Sequence, residues 1–103
     1  MAKMTGAQAI ARMLEDYGVT HIFHVPAILR RTMVELEAST SIKRVRTHGE
    51  KSAAYMADGY ARASRRPGIC MAQTVGALNL AAGLRDAWLA HSRHEIPQSL
   101  SAE

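Results

Sequence analysis

The sequence predicts an α/β fold built on a parallel sheet, and two observations support this. Short apolar runs rich in β-branched or aromatic residues alternate with longer segments whose apolar residues recur at helical spacing. The distance between successive runs leaves room for one helix, which is typical of right-handed βαβ crossovers. The 103 residues, 48% hydrophobic and 21% charged, suit a single small globular domain. We therefore expect a partial doubly wound, flavodoxin-like sheet of about three strands with flanking helices.

Three residues set the expected limits of the first helix and the first strand: an N-cap, a glycine and a proline. Thr5 is a favourable N-cap, and apolar residues at helical spacing follow it. The helix should end at Gly18, which can adopt the left-handed backbone conformation. Residues 19–25 are rich in β-branched and aromatic side chains and are closed by Pro26, so they predict the first strand.

The next two strands differ in polarity. Residues 29–37 have a roughly helical period and predict the second helix. Residues 42–46 then form a short strand that carries three basic residues, which places it near an edge of the sheet. A third helix should run from Glu50 to Ser64. Residues 69–72 are wholly apolar, as expected of a parallel strand covered on both faces.

The chain closes with a fourth helix and a polar segment. The helix begins at Gly76, and its apolar positions continue to Leu89. Residues 93–103 show no helical or strand period and predict an irregular tail, so we place the domain at residues 4–92. A three-stranded sheet with no strand after its last helix leaves a sheet edge unpaired and an apolar face uncovered. We therefore expect the chain either to use a partner or to be incomplete.

Charge and composition argue against several classes of protein. The net charge is +4, and the basic residues are spread along the chain in pairs. A nucleic-acid-binding protein would instead be expected to have basic residues clustered on one face. No segment approaches the roughly 18 apolar residues of a membrane span, and the N-terminus lacks a signal-peptide core. The single cysteine, Cys70, lies in an apolar run, and the five histidines are not spaced with it as metal ligands. We expect a cytoplasmic protein with no metal site, no nucleic-acid partner and no membrane partner.

The segment that begins at Glu50 carries the strongest functional signal. Residues 50–62 are Glu-Lys-Ser-Ala-Ala-Tyr-Met-Ala-Asp-Gly-Tyr-Ala-Arg. This closely resembles the Glu-x-x-Ala-Ala-x-x-Ala-Asp-Gly-Tyr-Ala-Arg segment of thiamine-diphosphate-dependent enzymes of the acetolactate synthase and 2-oxo acid decarboxylase group. The resemblance extends back through residues 18–23 and the Thr5-Gly6 opening, and forward through residues 67–70 and 76–80. Residues 4–92 thus resemble the start of the N-terminal pyrimidine-binding domain of that group.

The resemblance implies a catalytic role for Glu50. In the family this glutamate shares a proton with the aminopyrimidine ring nitrogen of thiamine diphosphate and so helps to activate the cofactor. The resemblance further implies cofactor contacts from Glu50, Pro26, Gly76 and Asn79. From position alone, the simpler interpretation is that Glu50 only complements the positive end of its helix, which is worth about 0.3–1 kcal/mol.

Three short segments depart from the family pattern. His24-Val25-Pro26-Ala27 stands where the family usually has Gly-x-Pro-Gly, so the backbone has less freedom to let a ring approach. Gln73-Thr74-Val75-Gly76 stands where Ser-Gly-Pro-Gly is frequent, so substrate contacts cannot be transferred there. His48-Gly49 replaces the usual Arg-His, and for His48 a surface position is favoured over a place near a substrate.

The helix after Glu50 also predicts a partner. Gly59 and the alanines around it suggest a smooth face for close helix packing, and the family uses this region at its dimer interface. We therefore expect a homo-oligomer, most simply a dimer, and assign Asp58 to packing and not to ligand contact.

The resemblance covers only the start of a longer family pattern. The family's magnesium-binding diphosphate domain has no counterpart in the sequence, which implies an N-terminal fragment that is inactive alone and whose parent enzyme acts on a 2-oxo acid. Two alternatives stay open. One is a small non-catalytic α/β dimerisation module on the same scaffold, and a weaker one is a basic nucleic-acid-binding protein.

Overall fold

A computed structural model describes residues 3–26 and 28–90, in which four helices alternate with three strands. The elements are α1 Gly6–Asp16, β1 His21–His24, α2 Arg30–Ser39, β2 Lys43–Arg46, α3 Glu50–Ser64, β3 Ile69–Met71 and α4 Gly76–Leu89. The strands form one parallel sheet in the order β2-β1-β3, which confirms the predicted fold class. The predicted tail at residues 93–103 lies outside the described residues.

The predicted boundaries of α1 are confirmed. Thr5 and Gln8 form a reciprocal capping box, in which the Gln8 amide donates to Thr5 Oγ1 at 3.2 Å and the Thr5 amide donates to Gln8 Oε1 at 2.9 Å. Gly18 adopts a positive φ of 79° after the helix, as its position predicts. Local side-chain chemistry is thus enough to set both ends of this helix.

β1 and α2 differ from their predicted bounds for identifiable reasons. β1 begins at His21 because the amide of Val19 still donates to the carbonyl of Leu14 in α1, at 3.1 Å. Leu29 has a left-handed φ of 45°, so α2 begins one residue later than predicted, at Arg30. The helix continues to Ser39, whose hydroxyl donates to the Glu35 carboxylate at 3.3 Å.

Two apolar clusters hold the sheet between pairs of helices. Alternate residues of β1 point to opposite faces, so Ile22 belongs to one cluster and Phe23 to the other. The first cluster joins β1 and β3 to α1 and α2 through Ala11, Leu14, Ile22, Ile28, Leu36, Ile42, Ile69 and Met71. The second joins them to α3 and α4 through Phe23, Ala53, Ala54, Ala57, Cys70, Ala72 and Leu80.

The polarity of the strands matches their place in the sheet. β3 is buried along its whole length, with side chains in both clusters, as its apolar sequence predicts. β2 lies at an edge and is largely exposed, as its basic residues predict. Among the described residues, the outer edge of β3 pairs with no further strand.

α3 and α4 pack closely because small residues face each other. Gly83 of α4 is buried, and a Cβ built on it would contact Ala54 Cβ and lie 3.1 Å from the Lys51 carbonyl oxygen. Gly59 is exposed instead, with no atom within 4 Å of its Cβ position. The predicted packing role of Gly59 could therefore concern only a second chain. In the described part of the chain, no helix has the length and hydropathy needed to cross a membrane.

Candidate functional site

The carboxyl ends of the three strands lie at one edge of the sheet, which we call the carboxyl edge. His24, the last residue of β1, is in register with Arg46 at the end of β2 and with Met71 at the end of β3. The three loops that follow therefore leave the sheet side by side. Open parallel α/β sheets bind ligands in the crevice outside this edge.

Glu50 is the first residue of α3 and lies at the carboxyl edge, partly buried. It is the acidic residue in the first turn of that helix, where the exposed amides favour a negative charge. Gly49 before it has extended backbone and provides no side-chain cap. The carboxylate therefore stands at a positive helix end without a capping side chain in competition.

A buried threonine anchors the loop that carries Glu50. The Thr47 amide donates to the His24 carbonyl at 2.8 Å, and its hydroxyl donates to the Gly49 carbonyl at 2.8 Å. These bonds tie the loop to the end of β1 and fix where α3 begins. Sequence analysis missed this residue, for which the only signal is a β-branched polar residue directly after a strand.

The first turn of α4 contacts the Glu50 carboxylate. Asn79 Nδ2 donates to Glu50 Oε1 at 3.3 Å. Gly76 is buried against the same group, since a Cβ added to it would contact Glu50 Oε2 and lie 2.8 Å from Glu50 Cδ. The structure thus brings together three of the four residues predicted for cofactor contact, of which Glu50 and Asn79 are 29 positions apart in sequence.

Pro26, the fourth predicted residue, is exposed in the loop between β1 and α2, two positions after the strand. The same loop is held to the β3–α4 loop, because the Leu29 amide donates to Gln73 Oε1 at 3.4 Å. Pro26 therefore lies at the carboxyl edge with the others, on a loop whose neighbour leads to Gly76.

His24 lies away from this site despite its place at the end of β1. Its ring is buried on the Ile22 side of the strand, toward α1 and α2, whereas Glu50 begins a helix on the other side. Nδ1 donates to the Val25 carbonyl at 2.8 Å, and Nε2 has no hydrogen-bond partner in the described structure. The departure from Gly-x-Pro-Gly thus places an imidazole in the core.

The other ionisable candidates lie in the core or on the surface. Asp58 is buried, and the Arg62 guanidinium donates to its carboxylate from Nε at 3.0 Å, within one turn of α3. Burial raises the pKa of the Cys70 thiol to about 12, so this thiol stays protonated. His48 is exposed in the turn before α3. Over residues 3–26 and 28–90, no group of three or more His, Cys, Asp or Glu side chains could hold a metal ion.

The site has the chemistry to hold the aminopyrimidine half of thiamine diphosphate. A partly buried carboxylate can share a proton with a ring nitrogen. The missing side chain at Gly76 lets that carboxylate lie against the first turn of α4. Val75 and Leu78 are 85% and 81% exposed, so the start of α4 also presents apolar surface to a ring or a second chain.

Comparison with known proteins gives a consistent assignment. The family model for the thiamine pyrophosphate enzyme N-terminal TPP binding domain matches residues 4–93. The chain is 36% identical over 86 residues to the probable 2-ketoarginine decarboxylase of Pseudomonas aeruginosa, covering 82% of this chain and 15% of that protein. It is 37% identical over 92 residues to the acetolactate synthase of Arthrospira platensis, covering 84% of this chain and 16% of that protein. The identity to the chloroplastic acetolactate synthase of Arabidopsis thaliana is 40% over 86 residues, covering 82% of this chain and 13% of that protein. The chain therefore spans between 13% and 16% of the length of these relatives.

Proposed function

The chain belongs to the thiamine pyrophosphate enzyme family as an N-terminal TPP binding domain, and we propose that it forms the aminopyrimidine half of a thiamine diphosphate site with Glu50 as catalytic residue. One observation carries the proposal: Glu50 lies at the carboxyl edge with its carboxylate against the first turn of α4. When bound, the cofactor supplies carbanion stabilisation for reactions of 2-oxo acids. The parent enzyme is proposed to resemble an acetolactate synthase or a 2-oxo acid decarboxylase, in line with the names of the relatives.

Glu50 has one task in this proposal, which is to hold or release a proton at the aminopyrimidine ring nitrogen. A carboxylate is suited to it because its oxygens can accept a hydrogen bond when ionised and donate one when protonated. The other proposed contacts are steric. Gly76 lets the carboxylate lie against α4 and borders the place proposed for the ring, and Pro26 borders the same edge from the neighbouring loop.

We further propose that this chain alone does not turn over a 2-oxo acid. The family cofactor carries a diphosphate that Mg²⁺ would hold, and the described residues offer no cluster of metal-ligating side chains. The expected result is no decarboxylation by the purified chain with thiamine diphosphate and Mg²⁺. Detectable turnover would overturn this part of the proposal.

A second copy of the chain is the proposed partner. Large apolar side chains are exposed on α3, on α4 and just before α4, at Tyr55, Met56, Val75, Leu78, Trp88 and Leu89. Such surface on two adjacent helices favours association. Sedimentation should give a dimer, and Leu78→Glu should shift it toward monomer. Val34→Glu, which places the same charge at an exposed residue of α2, should not. A monomeric wild-type chain would contradict the dimer.

The same surface favours one second candidate, a non-catalytic dimerisation module. The two candidates differ in whether Glu50 matters. Dimerisation without any thiamine binding would support the module, whereas binding that depends on Glu50 would support the cofactor site.

Amide NMR titration of the chain with thiamine diphosphate and with the free aminopyrimidine of thiamine tests the leading proposal. Saturable shifts are expected at Gly49 and Gly76, and Glu50→Gln should weaken binding by about tenfold or more, as loss of a charge-assisted hydrogen bond would. Glu15→Gln is the matched control, since it removes a carboxylate from the end of α1, near the amino end of β1. Equal affinity of wild type and Glu50→Gln would contradict the role of Glu50.

A further inference from the structure

The Glu50 carboxylate is held on two sides by a single turn of α4. We propose that Asn79 and Gly76 are positioning residues for Glu50, which fix the direction of its carboxylate before any ligand binds. This inference rests on the function proposed above. It gives Asn79 a task other than direct cofactor contact, since its side chain acts through Glu50.

The two contacts are complementary. Asn79 Nδ2 donates to Oε1 at 3.3 Å, while Oε2 is the atom that a Cβ at Gly76 would meet first. The same Cβ would lie 2.8 Å from Glu50 Cδ and 2.9 Å from Glu50 Cγ. Any side chain at position 76 must therefore displace the carboxylate, and the Asn79 amide selects one orientation from those that remain.

Pinning the carboxylate has a chemical consequence. A free glutamate side chain samples many rotamers, and ordering it on binding costs free energy. With one oxygen engaged by Asn79 and the other against Gly76, the remaining lone pairs of Glu50 point in set directions. Sites of this kind need their groups within about 0.5 Å of the productive geometry, so a residue that only orients the carboxylate can control ligand affinity.

The nature of the donor distinguishes Glu50 from the two carboxylates that are paired with arginine side chains. Glu37 is paired with the Arg44 guanidinium at 3.3 Å, and Asp58 with that of Arg62 at 3.0 Å. Glu50 is instead met by a neutral amide. A guanidinium would hold the carboxylate in its ionised form, because an opposite charge favours that form. An uncharged donor orients the carboxylate without placing an opposite charge beside it. This suits a group that must share a proton.

The first experiment needs no ligand. In NMR spectra of the wild-type chain, the Asn79 side-chain NH₂ should show slowed solvent exchange and a shift that changes in Glu50→Gln. The chemical shift of the Asn79 backbone amide should differ little between wild type and Glu50→Gln, since the helix is unaltered. An NH₂ group with free exchange and no response to Glu50→Gln would overturn the inference, whatever the outcome for thiamine.

The second experiment titrates position 79 variants with the free aminopyrimidine of thiamine. Asn79→Ala should bind about tenfold more weakly than wild type, as loss of an ordering hydrogen bond predicts. Asn79→Asp should bind more weakly still, because its carboxylate repels that of Glu50. Asn79→Gln, which keeps the amide donor, should recover most of the affinity.

The outcomes separate this inference from the proposed function. If Glu50→Gln weakens binding and Asn79→Ala does not, the positioning role fails and the proposed function stands. If Glu50→Gln has no effect, or the wild type shows no saturable binding, the proposed function fails. Gly76→Ala should weaken binding more than Asn79→Ala, and unchanged affinity of a folded Gly76→Ala chain would also overturn the inference.

Discussion

Replacing one glycine in each of two neighbouring helices by alanine should change stability in opposite directions. Gly83 in α4 faces α3, where a Cβ would contact Ala54 Cβ and crowd the Lys51 carbonyl oxygen at 3.1 Å. Neither neighbour is the mobile end of a long side chain, so the helices themselves must separate. Gly59 in α3 has open space at its Cβ position.

The expected magnitudes follow from two opposing terms. Alanine in place of a helical glycine stabilises by about 1 kcal/mol, and overpacking a close contact costs about 1–3 kcal/mol. Gly59→Ala should therefore raise the free energy of unfolding by about 1 kcal/mol, because only the first term applies. Gly83→Ala should lower it by about 1 kcal/mol net, which separates the variants by about 2 kcal/mol.

Urea denaturation of the two variants and wild type measures this difference. Trp88 in α4 is the only tryptophan, so its fluorescence reports on that helix, and far-UV circular dichroism reports on the whole chain. The midpoints should move in opposite directions with an unchanged m value, since neither substitution alters the surface exposed on unfolding. Ala54→Gly added to Gly83→Ala should recover more stability than additivity predicts.

A Gly83→Ala chain as stable as Gly59→Ala would refute the close packing of α3 on α4. A Gly59→Ala chain that loses stability only at concentrations where it dimerises would place Gly59 in the contact between copies.

Three further predictions concern buried or paired side chains. The Cys70 thiol ionises near pH 9.0 when unfolded, and burial raises its pKa to about 12 in the fold. The stability that the buried, protonated thiol contributes is present below pH 9.0 and is lost as the pH rises toward 12. Over that pH range, the urea midpoint of wild type should therefore fall more steeply than that of Cys70→Ala. His24→Leu should raise the free energy of unfolding by about 1 kcal/mol in urea denaturation, because it removes a buried ring nitrogen without a partner. A lower value would show that the ring has a partner in solution. The Asp86 carboxylate raises the pKa of the Tyr55 phenol, so Asp86→Asn should lower the midpoint of a Tyr55 titration followed by ring NMR, and an unmoved midpoint would contradict that contact.

Local signals in the sequence account for most of the fold. Thr5 and Gly18 delimit α1 through a capping box and a left-handed turn, which depend only on neighbouring residues. The bounds of α3 and the burial of β3 were likewise predictable from hydrophobic pattern. The position of β2 at an edge followed from its charge, because basic side chains tolerate an exposed strand.

Features that depend on distant partners could not be predicted in this way. Leu29 takes a left-handed conformation that its side chain disfavours, and its amide bonds to Gln73, 44 residues away. The spacing of α3 and α4 is set by Gly83, whereas the family motif draws attention to Gly59.

The candidate site shows the same division. The resemblance identified Glu50, Gly76 and Asn79 one by one, but the contact among them arises only when α3 and α4 lie side by side. Thr47 belongs to no motif, and its importance comes chiefly from the His24 carbonyl, 23 residues away, which the fold brings within reach.

The strand order has a consequence for synthesis on the ribosome. β1 is translated first among the strands and ends in the middle of the sheet, yet one of its neighbours, β3, begins only at Ile69. Until Met71 has emerged, the nascent chain carries a central strand with one open side, a state prone to pairing with other chains. Slow translation between β2 and β3 should therefore increase the demand for chaperones, although the contacts among α1, β1, α2 and β2 are already available.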